Sequence, residues 1–152
     1  MEEPLKLGWR EWCALPDLGL PAIKAKVDTG AKTSALHTFK IDSFSENGEN
    51  FVRFWVHPLQ RNGELVHECV AAIKDERLVS DSGGHKELRY IIETRIRIGH
   101  KDWLIDMSLT NRDTMRFRML LGRRAMTGNT LVDPNVSYIN GRLKAKRLYN
   151  LI

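Results

Sequence analysis

The chain has 152 residues, of which 42% are hydrophobic and 28% are charged. This composition is ordinary for a globular protein, so it excludes wholesale disorder, and we predict a single domain over residues 1–152. No apolar run reaches the roughly 18 residues that a transmembrane helix needs, so no membrane span is expected. Residues 1–4 lack the basic region and apolar stretch of a secretory signal, which favours a cytoplasmic protein.

The charge is unevenly distributed along the chain. The net charge is +5, but residues 1–76 hold 9 Lys/Arg and 12 Asp/Glu (net −3), whereas residues 77–152 hold 15 and 7 (net +8). A basic half attracts an anionic partner, which composition leaves open between nucleic acid, an acidic protein segment and a membrane surface. Cys13 and Cys69 do not make a disulfide framework, and we expect two reduced, buried thiols.

Strand patterns dominate the chain. Residues 23–27 alternate apolar residues with lysines, which is the period of a half-buried strand. Further runs rich in strand formers follow at 51–56, 90–98 and 103–109. Tight hairpin turns are predicted at Asn47-Gly48, Asn62-Gly63, Gly99-His100 and Asn140-Gly141. The best helix signal is a short one from Arg123, so the patterns predict a mostly antiparallel β domain, closed or sandwiched, with one or two short helices.

The stretch from Val27 to Ala31, at the end of the first predicted strand, carries the strongest chemical signal. It places a carboxylate, Asp28, before Thr29 and Gly30 in a tight turn. Glycine lets the backbone come close without a Cβ, and the threonine hydroxyl can donate a hydrogen bond that fixes the turn. Alone, this triplet is a weak signal, because turns that begin with aspartate are common on protein surfaces.

Its context resembles the retropepsin-like proteases, the single-domain aspartic proteases of retroviruses. In that family an Asp-Thr-Gly-Ala segment, a glycine-tipped flap hairpin and an apolar segment ending in Gly-Arg occur in this order. The corresponding segments here are 27–31, 79–84 with the strand from Tyr90, and 119–123. The resemblance implies a retropepsin-like closed β-barrel.

The match is closer to a bacterial family commonly labelled ATP-dependent zinc protease. Segments 27–37, 109–112 and 119–123 are similar to that family, and the similarity covers about residues 5–140, the expected core. Its members often accompany RimK-type ATP-grasp ligases, which add glutamates to ribosomal protein tails. The resemblance therefore implies an aspartic endopeptidase, with such a ligase as an expected partner.

The resemblance also implies how catalysis would work. Asp28 is the catalytic acid and base, Thr29 holds two active-site turns together across a dimer axis, and Gly30 offers backbone groups to the substrate. The reaction needs one ionised and one protonated carboxyl group, and each chain supplies one such aspartate. We therefore expect the active form to be a homodimer with its site on the two-fold axis.

The predicted substrate-binding residues comprise the rest of the turn, the flap and a basic loop. Retropepsins have an acidic or amide residue where this chain has Lys32, and an apolar residue where it has Lys26. Arginines are suited to bidentate binding of carboxylates. The charge reversal therefore predicts acidic substrates such as poly-glutamate peptide tails. The predicted set is Ala31, Lys32, Gly83, Gly84, Arg112, Arg116 and Arg118.

Three other interpretations stay open for the chain. The basic residues can form a solvated surface without a substrate role. A retropepsin-like fold can also be a non-catalytic module that binds acidic protein tails. Nucleic-acid binding is less favoured, because Trp55, Tyr90 and Trp103 lie in strand-like runs typical of a core and no nucleic-acid motif is present.

The sequence carries no motif that matches the zinc or the ATP part of the family label. The chain has no Gly-x-x-x-x-Gly-Lys-Ser/Thr phosphate loop and no His-Glu-x-x-His. His67-Glu68-Cys69 is the single local cluster of ligand-type residues, and consecutive residues of a strand point to opposite faces. We therefore expect no cofactor and no metal.

Overall fold

The computed structural model describes residues 3–60, 62–80, 83–111, 116–126 and 128–151. Most of these residues lie in β-strands. The strands are β1 (Leu5–Leu7), β2 (Arg10–Leu15), β3 (Leu20–Asp28), β4 (Ser34–His37), β5 (Lys40–Glu46), β6 (Glu49–Val56), β7 (His67–Ala72), β8 (Asp75–Ser80), β9 (Lys86–Ile98), β10 (Lys101–Thr110), β11 (Met119–Gly122) and β12 (Thr130–Val132).

The helical segments are short. Within the described ranges they are two 3-10 helices, Pro16–Leu18 and Arg123–Met126, and one α-helix, α1 (Ala145–Leu148). The helix predicted from Arg123 is therefore a single 3-10 turn. In the described part of the chain, no helix has both the length and the apolar character needed to cross a membrane.

Six strands close into a barrel. Around the ring, β10, β4, β11, β3, β2 and β9 are hydrogen-bonded in this order, and β9 pairs with β10 to complete it. Most neighbours are antiparallel, but β11 runs parallel to β3 and β10 runs parallel to β4. Closing the ring removes the unpaired edges that an open sheet would expose. The predicted mostly β fold with a closed barrel is confirmed.

Strand β3 shows how the sequence builds the barrel wall. Ile23, Ala25 and Val27 are buried, whereas Lys24 is half-buried and Lys26 is exposed. Alternate residues of a strand point to opposite faces, so the apolar set enters the core and the lysines line the outer face. The alternation in the sequence thus fixes which face of the strand carries charge.

A second, three-stranded antiparallel sheet packs against the barrel. Strand β6 lies between β5 and β7. Its residues Val52, Phe54 and Val56 are fully buried and join the same apolar cluster as the barrel residues. A short parallel pair, β1 with β12, brings the two ends of the chain together.

The predicted turns had different outcomes. Asn47 and Gly48 both have positive φ and close the β5–β6 hairpin, and Gly99 has positive φ between β9 and β10. Both predictions are confirmed. Asn62-Gly63 lies within a longer connection between β6 and β7, so the tight hairpin predicted there is wrong. The prediction for Asn140-Gly141 is also wrong, because no strand follows it among the described residues and a hairpin needs two.

Candidate active site

Asp28 is the last residue of β3, and its side chain is half-buried. The Oδ1 atom accepts a hydrogen bond of 3.0 Å from the backbone N–H of Gly30. The Asp28 carbonyl accepts a further bond of 3.2 Å from the N–H of Ala31. These two bonds shape residues 28–31 into a compact turn in which Thr29 and Gly30 are exposed.

Strand β11 supports this turn from the side. Gly122 pairs with Asp28 in the parallel ladder, and its N–H donates to Ser34 Oγ at 3.0 Å. A Cβ on Gly122 would lie 2.6 Å from the carbonyl carbon of Thr33. A glycine is therefore required here, because the two backbone segments approach too closely for any side chain.

Three more hydrogen bonds join the turn and Lys32 to the residues that follow β11. The N–H of Arg123 donates to the Ala31 carbonyl at 2.8 Å, and the N–H of Arg124 donates to the Lys32 carbonyl at 3.2 Å. The Arg123 guanidinium also donates to the Gly30 carbonyl at 3.3 Å. The backbone around Asp28 is thus held from both sides, with the apolar segment 119–123 beside the turn.

Strands β8 and β9 form the hairpin that the sequence predicts as a flap. They are antiparallel, with Ser80 opposite Lys86, so residues 81–85 connect them. Gly84 has φ +83°, and a Cβ there would meet no atom within 4 Å. Residues 81 and 82 lie outside the described ranges, whereas Gly83 and Gly84 lie within them.

The predicted basic residues differ in their exposure and in their distance along the chain from the Asp28 turn and Gly122. Lys32 is exposed and directly follows the Asp28 turn. Arg118 is half-buried and immediately precedes β11, four residues before Gly122. Arg116 is exposed, and its carbonyl accepts a hydrogen bond from the Gln60 side chain. Arg112 lies outside the described residues.

Sequence reasoning missed some residues that support the site. Ser34 and Arg123 fix the turn through hydrogen bonds, although both stand in segments that the resemblance covers. Glu11 was not singled out either, and no local pattern marks it. Lys26 was noted only as a departure from retropepsins, although its position two residues before Asp28 places both side chains on one face of β3.

The His67-Glu68-Cys69 cluster has a packing role in the structure. The His67 ring contacts the Leu18 carbonyl at 3.1 Å, and the Cys69 thiol lies 3.6 Å from the same oxygen. Burial, with a smaller effect from Glu68, raises the pKa of the Cys69 thiol to about 12. Among the residues that the structure describes, no group of three or more His, Cys, Asp or Glu side chains could hold a metal ion.

Comparison with known families agrees with this geometry. A protein-family model described as the RimB-like, retropepsin-like aspartic endopeptidase RimB matches residues 6–143. The chain belongs to this RimB-like family. The match spans the barrel, the Asp28 turn, the β8–β9 hairpin and β11.

Curated relatives match nearly the whole chain but are much longer. Proteins named probable alpha-L-glutamate ligase are 44% identical over 95% of the chain in Shewanella pealeana and 45% identical over 97% in Parasynechococcus marenigrum. The chain covers 32% of each of these relatives, so it spans about a third of their length. The names of these relatives mention neither zinc nor ATP, whereas the family that the sequence resembles is labelled ATP-dependent zinc protease.

A solved structure shares the RimB-like chain's fold over most of its length. It is the crystal structure of a protein of unknown function from Legionella pneumophila. It is 27% identical in sequence, aligns with a TM-score of 0.70, and covers 90% of this chain and 98% of its own. The barrel with its added sheet is therefore found in a second protein of similar size.

Proposed function

We propose that this RimB-like chain is an aspartic endopeptidase that works as a homodimer. The observation that carries the proposal is Asp28 at the end of β3, in a turn that Gly122, Ser34 and Arg123 hold in place. Because one chain supplies one such carboxyl group, a second copy must bring its own Asp28 to the same site.

In the proposed mechanism the two carboxyl groups share one proton, because two nearby carboxylates cannot both ionise cheaply. The ionised group takes a proton from water as the water oxygen bonds to the peptide carbonyl carbon. The protonated group donates its proton to the carbonyl oxygen. In the second step the carboxyl group that took the water proton passes it to the amide nitrogen, and the other carboxylate takes a proton from a hydroxyl of the tetrahedral intermediate. The C–N bond then breaks, and the new carboxyl and amine ends leave.

We propose that the substrate is an acidic, glutamate-rich peptide tail. Lys32 is exposed beside the Asp28 turn, and the second half of the chain carries a net charge of +8. The longer relatives are named probable alpha-L-glutamate ligase, so a domain like this chain occurs in proteins whose name assigns them glutamate chemistry. A ligase of this kind is accordingly the proposed partner, and a cytoplasmic location stays a prediction.

Hydrolysis of quenched fluorescent peptides tests the proposal. A glutamate-rich peptide should be cleaved faster than its glutamine counterpart, and Asp28→Asn should lower turnover at least about a hundredfold, because a positioned acid–base group contributes that much or more. Asp42→Asn, which changes an exposed aspartate of β5, is the matched control and should keep full activity.

Two results would contradict the proposal. Cleavage that persists in the Asp28→Asn protein would show that another group does the chemistry. Tight binding of the acidic peptide without cleavage by either protein would favour the non-catalytic module that binds acidic tails.

A further inference from the structure

A row of charged side chains runs along one face of β3 up to Asp28. Residues 24, 26 and 28 are separated by two positions each, so Lys24, Lys26 and Asp28 project from the same face of the strand. Strand β2 adds to this face, because Arg10 lies directly opposite Lys26 and Trp12 lies opposite Lys24 in the antiparallel ladder. Lys26 and Arg10 are therefore the cations next to Asp28 on this face.

The Arg10 side chain is held in place by its surroundings. Its guanidinium carbon lies 4.4 Å from the centre of the Trp9 ring and 4.8 Å from the centre of the Tyr138 ring. Its Nε also donates to Ser137 Oγ at 3.2 Å. Cation–π contacts of this kind stabilise an arginine and restrict its motion without neutralising its charge.

Within the part of the chain that the structure describes, the Arg10 and Lys26 pair has no acidic side chain as an ion-pair partner. Like charges directly opposite each other on antiparallel strands are destabilising. Among the described residues, no Asp or Glu side chain forms a salt bridge with either of them, and Lys26 is exposed. Glu11, the neighbour of Arg10, is fully buried, and its carboxylate accepts hydrogen bonds from backbone N–H groups. The pair therefore presents two positive charges to a ligand from solution.

We propose that Arg10 and Lys26 form a carboxylate-binding subsite for the glutamate side chains of the substrate, beside the catalytic aspartate. This inference rests on the proposed function, because it assumes an acidic peptide in the cleft next to Asp28. Arg10 offers a planar pair of N–H donors that match a carboxylate, and Lys26 adds a mobile ammonium group. An extended peptide repeats its side chains on one face with the same spacing as β3, so every second glutamate can follow the row toward Lys24.

This subsite differs from the basic set expected from the sequence. Arg118 precedes β11 and lies four residues before Gly122, whereas Lys26 precedes Asp28 by two residues. Phe117 connects the two regions, because its ring makes an edge-to-face contact with Trp9 at 5.9 Å. The structure thus favours Arg10 and Lys26 as the residues that select acidic side chains close to the scissile bond.

Fluorescence anisotropy with a labelled hexaglutamate peptide tests the subsite. Binding is measured with the Asp28→Asn protein, so that the peptide stays intact, at low and at physiological salt. Lys26→Gln and Arg10→Gln should each weaken binding about fivefold, which corresponds to roughly 1 kcal/mol, the upper range for an exposed charge pair. Lys26→Arg keeps the charge and should keep the affinity.

Two control variants separate a local subsite from general charge attraction. Lys40→Gln removes an exposed lysine of β5, and Arg53→Gln removes an arginine of β6 that packs 5.0 Å over the Phe44 ring. Both change the net charge by the same amount as the test variants. Thermal unfolding of each variant shows whether it is folded.

The outcomes separate this inference from the proposed function. Equal losses of hexaglutamate affinity in the test and control variants, or no binding of hexaglutamate at all, would overturn the subsite. Displacement of the peptide by a single-stranded RNA that binds more tightly and depends on Lys26 would overturn it too, by assigning the pair to nucleic acid. A loss of hexaglutamate affinity confined to Lys26→Gln and Arg10→Gln supports the subsite. This holds even if the unsubstituted protein cleaves no peptide and the peptidase proposal fails.

Discussion

At the scale of single residues, the least expected feature is a buried carboxylate on β2. Glu11 is fully buried on β2, and its two oxygens accept hydrogen bonds from the backbone N–H groups of Gly8, Ile139 and Asn140. The bond from Gly8 is short, at 2.6 Å. Glu11 thereby holds the segment that carries Tyr138 against β2, next to Arg10.

We expect Glu11→Ala to lower the free energy of unfolding by about 3 kcal/mol, because it leaves buried N–H donors without an acceptor. Urea denaturation followed by tryptophan fluorescence measures the change. Glu49→Ala alters an exposed residue at the β5–β6 turn and should change stability by less than about 0.5 kcal/mol. A loss for Glu11→Ala as small as that of the control would show that water replaces the carboxylate.

At the scale of secondary-structure elements, the site depends on how closely β11 approaches the start of β4. Gly122→Ala would place a Cβ 2.6 Å from the Thr33 carbonyl carbon and 2.9 Å from the Ser34 nitrogen. Backbone atoms cannot move aside cheaply, so we expect a loss of about 2 kcal/mol or more in unfolding free energy, as for other overpacked sites. Peptide cleavage should fall as well, because the Asp28 turn shifts.

Gly63→Ala is the matched control, because a Cβ there meets no atom within 4 Å and the residue has no positive φ. It should leave both the unfolding free energy and the cleavage rate unchanged. A Gly122→Ala protein with the stability of the Gly63→Ala protein would contradict the close packing of β11 against the turn.

The elements also show what the sequence can and cannot predict. The alternation of apolar residues with lysines over 23–27 predicts β3, and the strand-forming residues over 90–98 predict β9. Both patterns arise because the barrel buries one face of each strand. The Asn47-Gly48 turn was predictable because its φ angles are a local property. Glu11 and Ile139 are 128 residues apart, so their hydrogen bond leaves no local signal. The Arg10 contacts with Tyr138 were missed for the same reason.

At the scale of the whole molecule, one chain forms a closed barrel that carries one Asp28, whereas the proposed mechanism uses two such carboxyl groups. The hydrogen bonds that hold the Asp28 turn form within one chain. They involve Gly30, Ser34, Gly122 and Arg123. The proposed mechanism takes its second carboxyl group from the Asp28 of another copy. The proposed mechanism therefore requires two copies of the chain to associate.

Mixing active and inactive subunits tests this claim most directly. Unsubstituted protein and the Asp28→Asn variant are combined at constant total concentration, allowed to exchange subunits, and assayed on the glutamate-rich peptide. If each site needs two intact aspartates, an equal mixture should keep about a quarter of the activity of the unsubstituted protein, because only pairs with two intact chains are active. An equal mixture that keeps about half of the activity would show that each chain acts alone, and would contradict the account.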